Sequence, residues 1–360
     1  MIVFIYGTTA EAIKLAPIAR RLDDQGIPYE HWVTQQHTGA LRKTLANLGF
    51  REPDRTIANG RKGASLATIS DAVFWLGSVA RWLARNRRKL RKSLPDQTVV
   101  LVHGDTVTSV VGTIIARCIG ADSAHVEAGL RSGNWRHPFP EELDRRIVGR
   151  LATIHYAPSR QAAENLTRRK NVVFTYGNTV VDAVLDRKLR RRTAADEYGL
   201  VLLHRFELIS NRHLMEQTVN ALVGHSPVRL RFVADTYARS GITASLAKTG
   251  GENFEIIDKV RHEEFIDLLS DAAFVVSDSG GVQEETALLG VPTLIHRVAT
   301  ERSEGLGENV VLSGWKIPTL IEFLGSYASY RLPTSLPERS PSDVIVEDLV
   351  ARGYGECPSS

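Results

Sequence analysis

Short apolar runs alternate with longer stretches of helical period along most of the chain, and the series starts twice. A short apolar run bounded by turn residues reads as a strand buried on both faces. The periodic stretch after it reads as the crossover helix that brings the chain back beside that strand, so the repeated pattern predicts parallel sheets covered by helices. In the first half, strands are expected at residues 2–6, 29–34, 99–103, 122–126 and 154–157, with helices beginning near Ala10, Gly39, Leu66, Thr108, Glu141 and Ser159. In the second half, strands are expected at 200–203, 229–234, 254–257, 274–277 and 293–296.

A chain of 360 residues is too long for one ordinary α/β domain and suits two. The charged stretch 185–192 (LDRKLRRR) precedes the first strand of the second half and reads as a helix end plus linker. The expected fold is therefore α/β, with two Rossmann-like domains at 1–184 and 185–340 and a ligand cleft between them. The tail, 341–360, is expected to be helical over 342–353 and to be able to pack back on the first domain.

The remaining composition narrows the function classes. Apolar residues make up 43% and charged residues 24%, which is ordinary for a folded protein. A net charge of +4 is small for this length and does not argue for nucleic acid as a partner. The most basic run, 81–92 (RWLARNRRKLRK), fits a solvated helix face better than a nucleic-acid or lipid contact. Cys118 and Cys357 lie far apart without metal-ligand spacing, so neither a disulfide scaffold nor a zinc site is expected, and a reducing, cytoplasmic setting fits. The first residues lack a basic leader and read as a buried strand, and no apolar run is long enough for a membrane helix.

Polar residues that follow directly on buried strands are the candidates for chemistry, because open α/β sheets bind ligands at the carboxyl ends of their strands. Four places qualify. Gly7-Thr8-Thr9-Ala10-Glu11-Ala12-Ile13-Lys14 turns a strand into a helix whose first N–H groups favour an anion, with Lys14 one turn inside. It is not the dinucleotide fingerprint. His103-Gly104-Asp105 places a carboxylate after a strand, where the bland alternative is a helix cap.

The third place is the densest. Glu127 ends a strand in HVEAGLR, and Glu141 follows a rigid Pro-Phe-Pro with Arg145 four residues on. A buried carboxylate is costly unless paired or protonated. Two carboxylates delivered from a strand end and a helix start suit acid–base work, against the alternative of an ion-pair network. In the fourth, Ser277-Asp278-Ser279-Gly280-Gly281 turns a strand into a helix that can receive a phosphate, and Glu285 is placed to bind the vicinal hydroxyls of a ribose. His204-Arg205 and Thr300-Glu301-Arg302 follow two other strands of the same half. No P-loop, GxSxG or HExxH occurs, and nothing requires a metal.

In this order and spacing, the segments GTTAEAIKLAP, VLVHGDT, HVEAGLRSG, PFPEELDRR, YGNTVVDAV, LLHR, SDSGGVQEE, LGVPTL and TERSEG resemble those of the bacterial UDP-N-acetylglucosamine 2-epimerases over nearly the whole chain. The resemblance implies a two-domain GT-B-like fold, a UDP-sugar as the bound partner, a homodimer and no cofactor. It implies loss of the C2 proton with anti elimination of UDP to a 2-acetamidoglucal, then re-addition to give UDP-N-acetylmannosamine. By position, Asp105, Glu127 and Glu141 match the family's acid–base carboxylates. Lys14, Arg145 and His204 match the residues that hold diphosphate and sugar, with His204 placed in the catalytic group. Ser279, Gly280, Gly281 and Glu285 match the nucleotide clamp, and Arg205, Thr300, Glu301 and Arg302 complete the expected binding set.

The chain departs from the family pattern at Thr9-Ala10, where Arg-Pro is usual. It departs again at Phe206-Glu207-Leu208, where Arg-Glu-Asn is usual, and at Ser303, where Pro is usual. Gln36-His37 is kept, but Gly39 replaces a polar residue. In the family, the region after Gln-His, with the arginine pair, helps form a second, activating UDP-GlcNAc site, which bears on Gly39 and Phe206, while Thr9 stands where a cationic contact to the nucleotide is usual; the carboxylates are intact. Three other outcomes stay open at this level: a hydrolysing epimerase that releases ManNAc and UDP, a related epimerase acting on a modified UDP-HexNAc, and a GT-B glycosyltransferase.

Overall fold

In the parallel strands of the first sheet, neighbouring side chains point to opposite faces, and both faces are apolar. Ile2, Phe4 and Tyr6 enter one core while Val3 and Ile5 enter another on the other side of the sheet. The structure, a computed structural model, describes residues 1–34, 41, 45–60, 69–133, 140–186, 197–234, 236–249 and 253–355.

The first series runs β1 (Ile2–Tyr6), α1 (Thr9–Asp24), β2 (Tyr29–Val33), β3 (Arg55–Thr56), α2 (Ile69–Ser93), β4 (Val99–His103), α3 (Val107–Ile119), β5 (Asp122–Val126), α4 (Glu141–Leu151), β6 (Ile154–Ala157), α5 (Arg160–Glu164), β7 (Val172–Phe174) and α6 (Val180–Leu185). The second runs β8 (Tyr198–Leu202), α7 (Phe206–Ser210), α8 (Arg212–His225), β9 (Arg229–Ala234), α9 (Thr236–Thr249), β10 (Phe254–Asp258), α10 (His262–Asp271), β11 (Phe274–Ser277), α11 (Gly280–Leu289), β12 (Thr293–Ile295), β13 (Val310–Leu312), α12 (Ile317–Ser326) and α13 (Pro341–Ala351).

The chain forms two units, Met1–Asp186 with Pro337–Ser360, and Arg187–Leu336. The first holds a sheet of order β3-β2-β1-β4-β5-β6-β7 and the second a sheet of order β10-β9-β8-β11-β12-β13. The paired strands of both sheets run parallel. In the first unit β1 lies between β2 and β4, so the crossovers leave in opposite directions and the strand ends open a crevice there. The same reversal occurs in the second unit between β8 and β11.

Strand positions follow the apolar runs closely. Residues 2–6, 99–103, 122–126, 154–157, 229–234 and 274–277 are strands with the expected limits. β8 starts at Tyr198, two residues earlier than its apolar run suggests, because Ala273 donates to the carbonyl of Tyr198 and extends the ladder. β3, β7 and β13 were not anticipated. They are two or three residues long, and each is defined by the neighbour that pairs with it rather than by a pattern of its own. The helix starts expected near Gly39 and Leu66 lie outside the described residues, although α2 is in place from Ile69.

α13 belongs to the first unit. Ile345, Val346 and Leu349 are fully buried in the same core as Phe4 and Leu15. Ser342 N–H donates to Asp182 at 2.7 Å, Tyr156 O–H to Asp348 at 2.9 Å, and Tyr354 O–H to Asp122 at 2.6 Å. Among the described residues no helix is long and apolar enough to cross a membrane.

Candidate active site

The candidate carboxylates of the first unit gather around the ends of β1, β4 and β5. Glu127, directly after β5, is a non-glycine residue in the left-handed region, with φ 68°. That conformation is uncommon for a residue with a Cβ and persists where surrounding contacts enforce it. The contacts are on hand. Lys14, from the second turn of α1, reaches Glu127 Oε2 at 2.5 Å. Asn178 donates to the same oxygen, and His103 Nε2 lies 3.8 Å from it. Glu127 is 5% exposed. Gly104 also has positive φ, and a Cβ there would sit 3.5 Å from Glu127 Oε1, so the turn after β4 passes close beside the carboxylate. His125 Nε2–H donates to the carbonyl of that same Gly104 at 2.7 Å. Burial pushes the His125 imidazole down to about 3, so the ring is neutral and acts as a fixed donor.

Asp105, the next residue along, accepts from the buried guanidinium of Arg145 on α4. Arg145 Nη1 lies 3.6 Å from Glu142 Oε2, and Arg146 Nε donates to the other Glu142 oxygen at 3.0 Å. Glu141 opens α4 after Pro140, and three acidic residues, Glu141, Glu142 and Asp144, occupy the first turn, where the helix dipole favours them. Asp144 is buried, and burial followed by the charges of Asp105 and Glu141 pushes its carboxyl up to about 7.

The start of α1 differs from expectation in one respect. The amides of Gly7 and Thr8, read from sequence as free for an anion, donate to Glu11 Oε2 at 3.0 and 2.9 Å. Thr8 and Glu11 form a capping box, and Thr106 donates to the other Glu11 oxygen at 2.6 Å. The protein's own carboxylate takes these donors, leaving Lys14 as the part of this motif that reaches the carboxylate cluster.

In the second unit, the residues after β8 and β11 meet at the strand reversal. Asp278 is buried and accepts the amides of His204, at 3.0 Å, and Arg205, at 2.9 Å. His204 Nδ1 lies 3.0 Å from its Oδ1. Burial pushes the Asp278 carboxyl up, but the His204 ring and the two amides outweigh that and hold it below its usual value. The ring of His204 is thereby held through Nδ1.

Ser279 caps α11 by accepting from Val282 N–H, and no acidic residue occupies the first turn. The absence of a side chain at Gly280 is required, since a Cβ there would sit 2.8 Å from Arg302 Nε and 3.3 Å from Glu301 Oε1. The Thr300-Glu301-Arg302 loop is held against α11. Thr300 donates to Gln283 at 2.8 Å, Gln283 donates to the carbonyls of Arg302 and Glu304, and Arg302 pairs with buried Glu284. Glu301 pairs with Arg297 at 3.1 Å. Glu285 is buried and accepts from His262 Nε2 at 2.8 Å.

With the fold and these polar residues described, the comparisons with known proteins can be set beside them. Residues 21–316 match the family model described as UDP-N-acetylglucosamine 2-epimerase. The chain belongs to the UDP-N-acetylglucosamine 2-epimerase family. A relative named UDP-N-acetylglucosamine 2-epimerase from Campylobacter jejuni is 31% identical over 335 residues, covering 86% of this chain and 84% of the relative. The UDP-GlcNAc 2-epimerase of Neisseria meningitidis, solved bound to UDP-GlcNAc, superimposes with a TM-score of 0.81 at 26% identity, covering 97% of this chain and 99% of the other. The Methanocaldococcus jannaschii enzyme, solved with UDP-GlcNAc and UDP, gives 0.80 at 27% identity, covering 98% and 99%. The fold is accordingly the GT-B-like one of this family.

The residues proposed from the sequence fall into two groups. Lys14, Asp105, Glu127, Glu141 and Arg145 lie in the first unit, and His204, Arg205, Ser279, Gly280, Gly281, Glu285, Thr300, Glu301 and Arg302 lie in the second. Of the departures, Thr9 is the first residue of α1 and Phe206 opens α7 with its ring exposed. Gln36, His37 and Gly39 lie outside the described residues, as do His137, Pro138 and Phe139.

Asn178, Asp278 and His262 were not singled out by sequence, yet each holds a residue that was. Asp278 carried a signal, since it stands directly after a buried strand. Asn178 lay in the YGNTVVDAV segment but without an assigned role, and His262 carried no signal, because their partners Glu127 and Glu285 are distant in sequence.

Proposed function

We propose that this protein is an enzyme that interconverts UDP-GlcNAc and UDP-ManNAc, without hydrolysis, at the groups described. One carboxylate removes the C2 proton as the C1–O bond to UDP breaks, leaving 2-acetamidoglucal, UDP and a protonated carboxyl. A proton then returns to the opposite face of C2 as the UDP oxygen re-forms its bond to C1. Atoms and electrons balance, with UDP as the leaving group in one direction and the nucleophile in the other.

The observation that carries this reading is the carboxylate group at the ends of β4 and β5. Glu127 is held in a left-handed backbone by Lys14 and Asn178, and Asp105 and Glu141 stand at the neighbouring turn and helix start. General acid–base catalysis needs carboxyls whose positions are fixed before substrate arrives. In the second unit, we assign the amides at the start of α11, with Arg205 and the Nε2 edge of His204, to the diphosphate. They stabilise the charge that develops on departing UDP. Glu285 takes the ribose hydroxyls in exchange for, or alongside, its bond to His262. The support from relatives is that two neighbours of this fold were solved with UDP-GlcNAc bound.

Proton NMR of the purified protein with UDP-GlcNAc in deuterated water tests the reading. Deuterium at C2 together with UDP-ManNAc in an equilibrium mixture is the expected result. Free ManNAc with UDP would replace it by a hydrolysing epimerase. Transfer to an added acceptor without C2 exchange would replace it by a glycosyltransferase.

A further inference from the structure

We propose that His262 is a positioning residue for ribose recognition, holding one oxygen of Glu285 so that the other receives a hydroxyl of the bound nucleotide's ribose. The inference rests on the assignment of Glu285 to the ribose, and it commits Glu285 to keeping its bond to the histidine while the nucleotide is bound. His262 Nε2 lies 2.8 Å from Glu285 Oε1. A carboxylate only accepts, so Nε2 carries the hydrogen and donates it. The two side chains are 14% and 7% exposed, so water competes little for this bond.

The place of the pair in the fold points to a ligand. His262 opens α10 shortly after β10 ends at Asp258, and α11, which carries Glu285, opens at Gly280 shortly after β11 ends at Ser277. The strands of this sheet run parallel, so both helices start at its carboxyl edge, where open α/β sheets bind ligands. β9 and β8 stand between β10 and β11 in the sheet, yet α10 packs against α11 and brings the histidine onto the carboxylate.

The kind of partner matters. Two other buried carboxylates of this region are met by arginines, Glu284 by Arg302 and Glu301 by Arg297. An arginine fork can take both oxygens of a carboxylate. The imidazole takes one through Nε2, and among the described residues Glu285 makes no second hydrogen bond or ion pair. Oε2 is thereby left for a donor that the nucleotide brings, and a ribose brings adjacent hydroxyls. The last torsion of a glutamate side chain is broad, so without the histidine its oxygens would not be held in one direction. A hydrogen bond to a charged acceptor is the stronger kind, and it weakens steeply when misaligned.

Calorimetric titration of the whole protein with UDP and with 2′,3′-dideoxy-UDP is the test. The wild type should prefer UDP by about tenfold or more, the worth of a hydrogen bond to a charged group. His262→Phe keeps a ring in place and removes the donor. It should weaken UDP by about tenfold, leave the dideoxy nucleotide where it was and so erase the preference. His262→Gln, whose amide can donate from near the position of Nε2, should restore most of it. A histidine that merely ties α10 to α11 would weaken both nucleotides alike. A His262→Phe protein that keeps the wild-type preference therefore overturns the inference and leaves the epimerase reading intact. A wild type without preference overturns the ribose assignment and the inference together. A second measurement needs no variant to fold. Nitrogen-15 NMR of the His262 ring in the wild type should show Nε2 protonated, and a proton on Nδ1 alone overturns the inference. Absence of C2 exchange with UDP-GlcNAc would reject the epimerase reaction and leave the nucleotide preference, and its dependence on His262, standing.

Discussion

At the scale of single residues, the ion pair between Lys14 and Glu127 is the most exposed to test, because both partners are largely withdrawn from water. Removing one member of a buried pair leaves the other charge without its counter-ion, at a cost of about 3–5 kcal/mol. Lys14→Met should therefore destabilise the first unit by about 3 kcal/mol and abolish turnover. Lys14→Met combined with Glu127→Gln should regain much of the stability and none of the activity. Urea denaturation of the two single variants and the double variant measures the coupling directly. The residue scale is also where sequence was least complete. Glu127, Asp105 and Glu285 stand out as polar residues after strands or at helix starts, but Asn178 and His262 reach them from 51 and 23 positions away in sequence. No local pattern records such a contact.

At the scale of elements, α11 and the loop that follows β12 behave as one piece. Gly280 is the contact point, and Arg302, clamped by Glu284, cannot move aside freely. Gly280→Ala should cost about 1–3 kcal/mol through overpacking and weaken UDP binding by tenfold or more, as read by thermal melts and isothermal titration. Gly281→Ala is the control, because its Cβ would meet only Ser279 Oγ at 3.8 Å, an ordinary contact. Its melting temperature should stay the same or rise, since alanine is the better helix former. The longer strands were legible because a strand buried on both faces must be apolar along its length. β3, β7 and β13 were not, because a short edge strand is specified by the backbone it pairs with.

At the scale of the whole molecule, the first unit is built from both ends of the chain. Truncation before Pro341 would strip Ile345, Val346 and Leu349 from its core. At about 1.5–3 kcal/mol for each buried aliphatic side chain, the loss rivals the entire stability of a domain. The truncated chain should lose cooperative unfolding, as seen by calorimetry.

Acid stability is a second whole-molecule property. His125, His155 and His296 are buried, and desolvation pushes them down from 6.5 to about 3, 4 and 4. Below pH 6.5 the unfolded chain binds protons at these positions while the folded chain does not, so stability falls as pH falls through that window and is level above it. Each histidine contributes a slope of about 1.4 kcal/mol per pH unit. Replacing His155 by Gln should flatten the fall of denaturation midpoint between pH 6.5 and 4 by roughly one proton's worth.

The sequence by itself determined the alternation of buried strands and helices, the doubling of that series and the polar residues at the strand ends, because these follow from local periodicity and turn chemistry. It also carried the order of motifs that marks the epimerase family. Tertiary structure alone decided how those residues are used. Lys14 and Asn178 converge on Glu127. Asp278 fixes His204. Each depends on packing between segments distant in the chain, and on desolvation that only a closed core imposes.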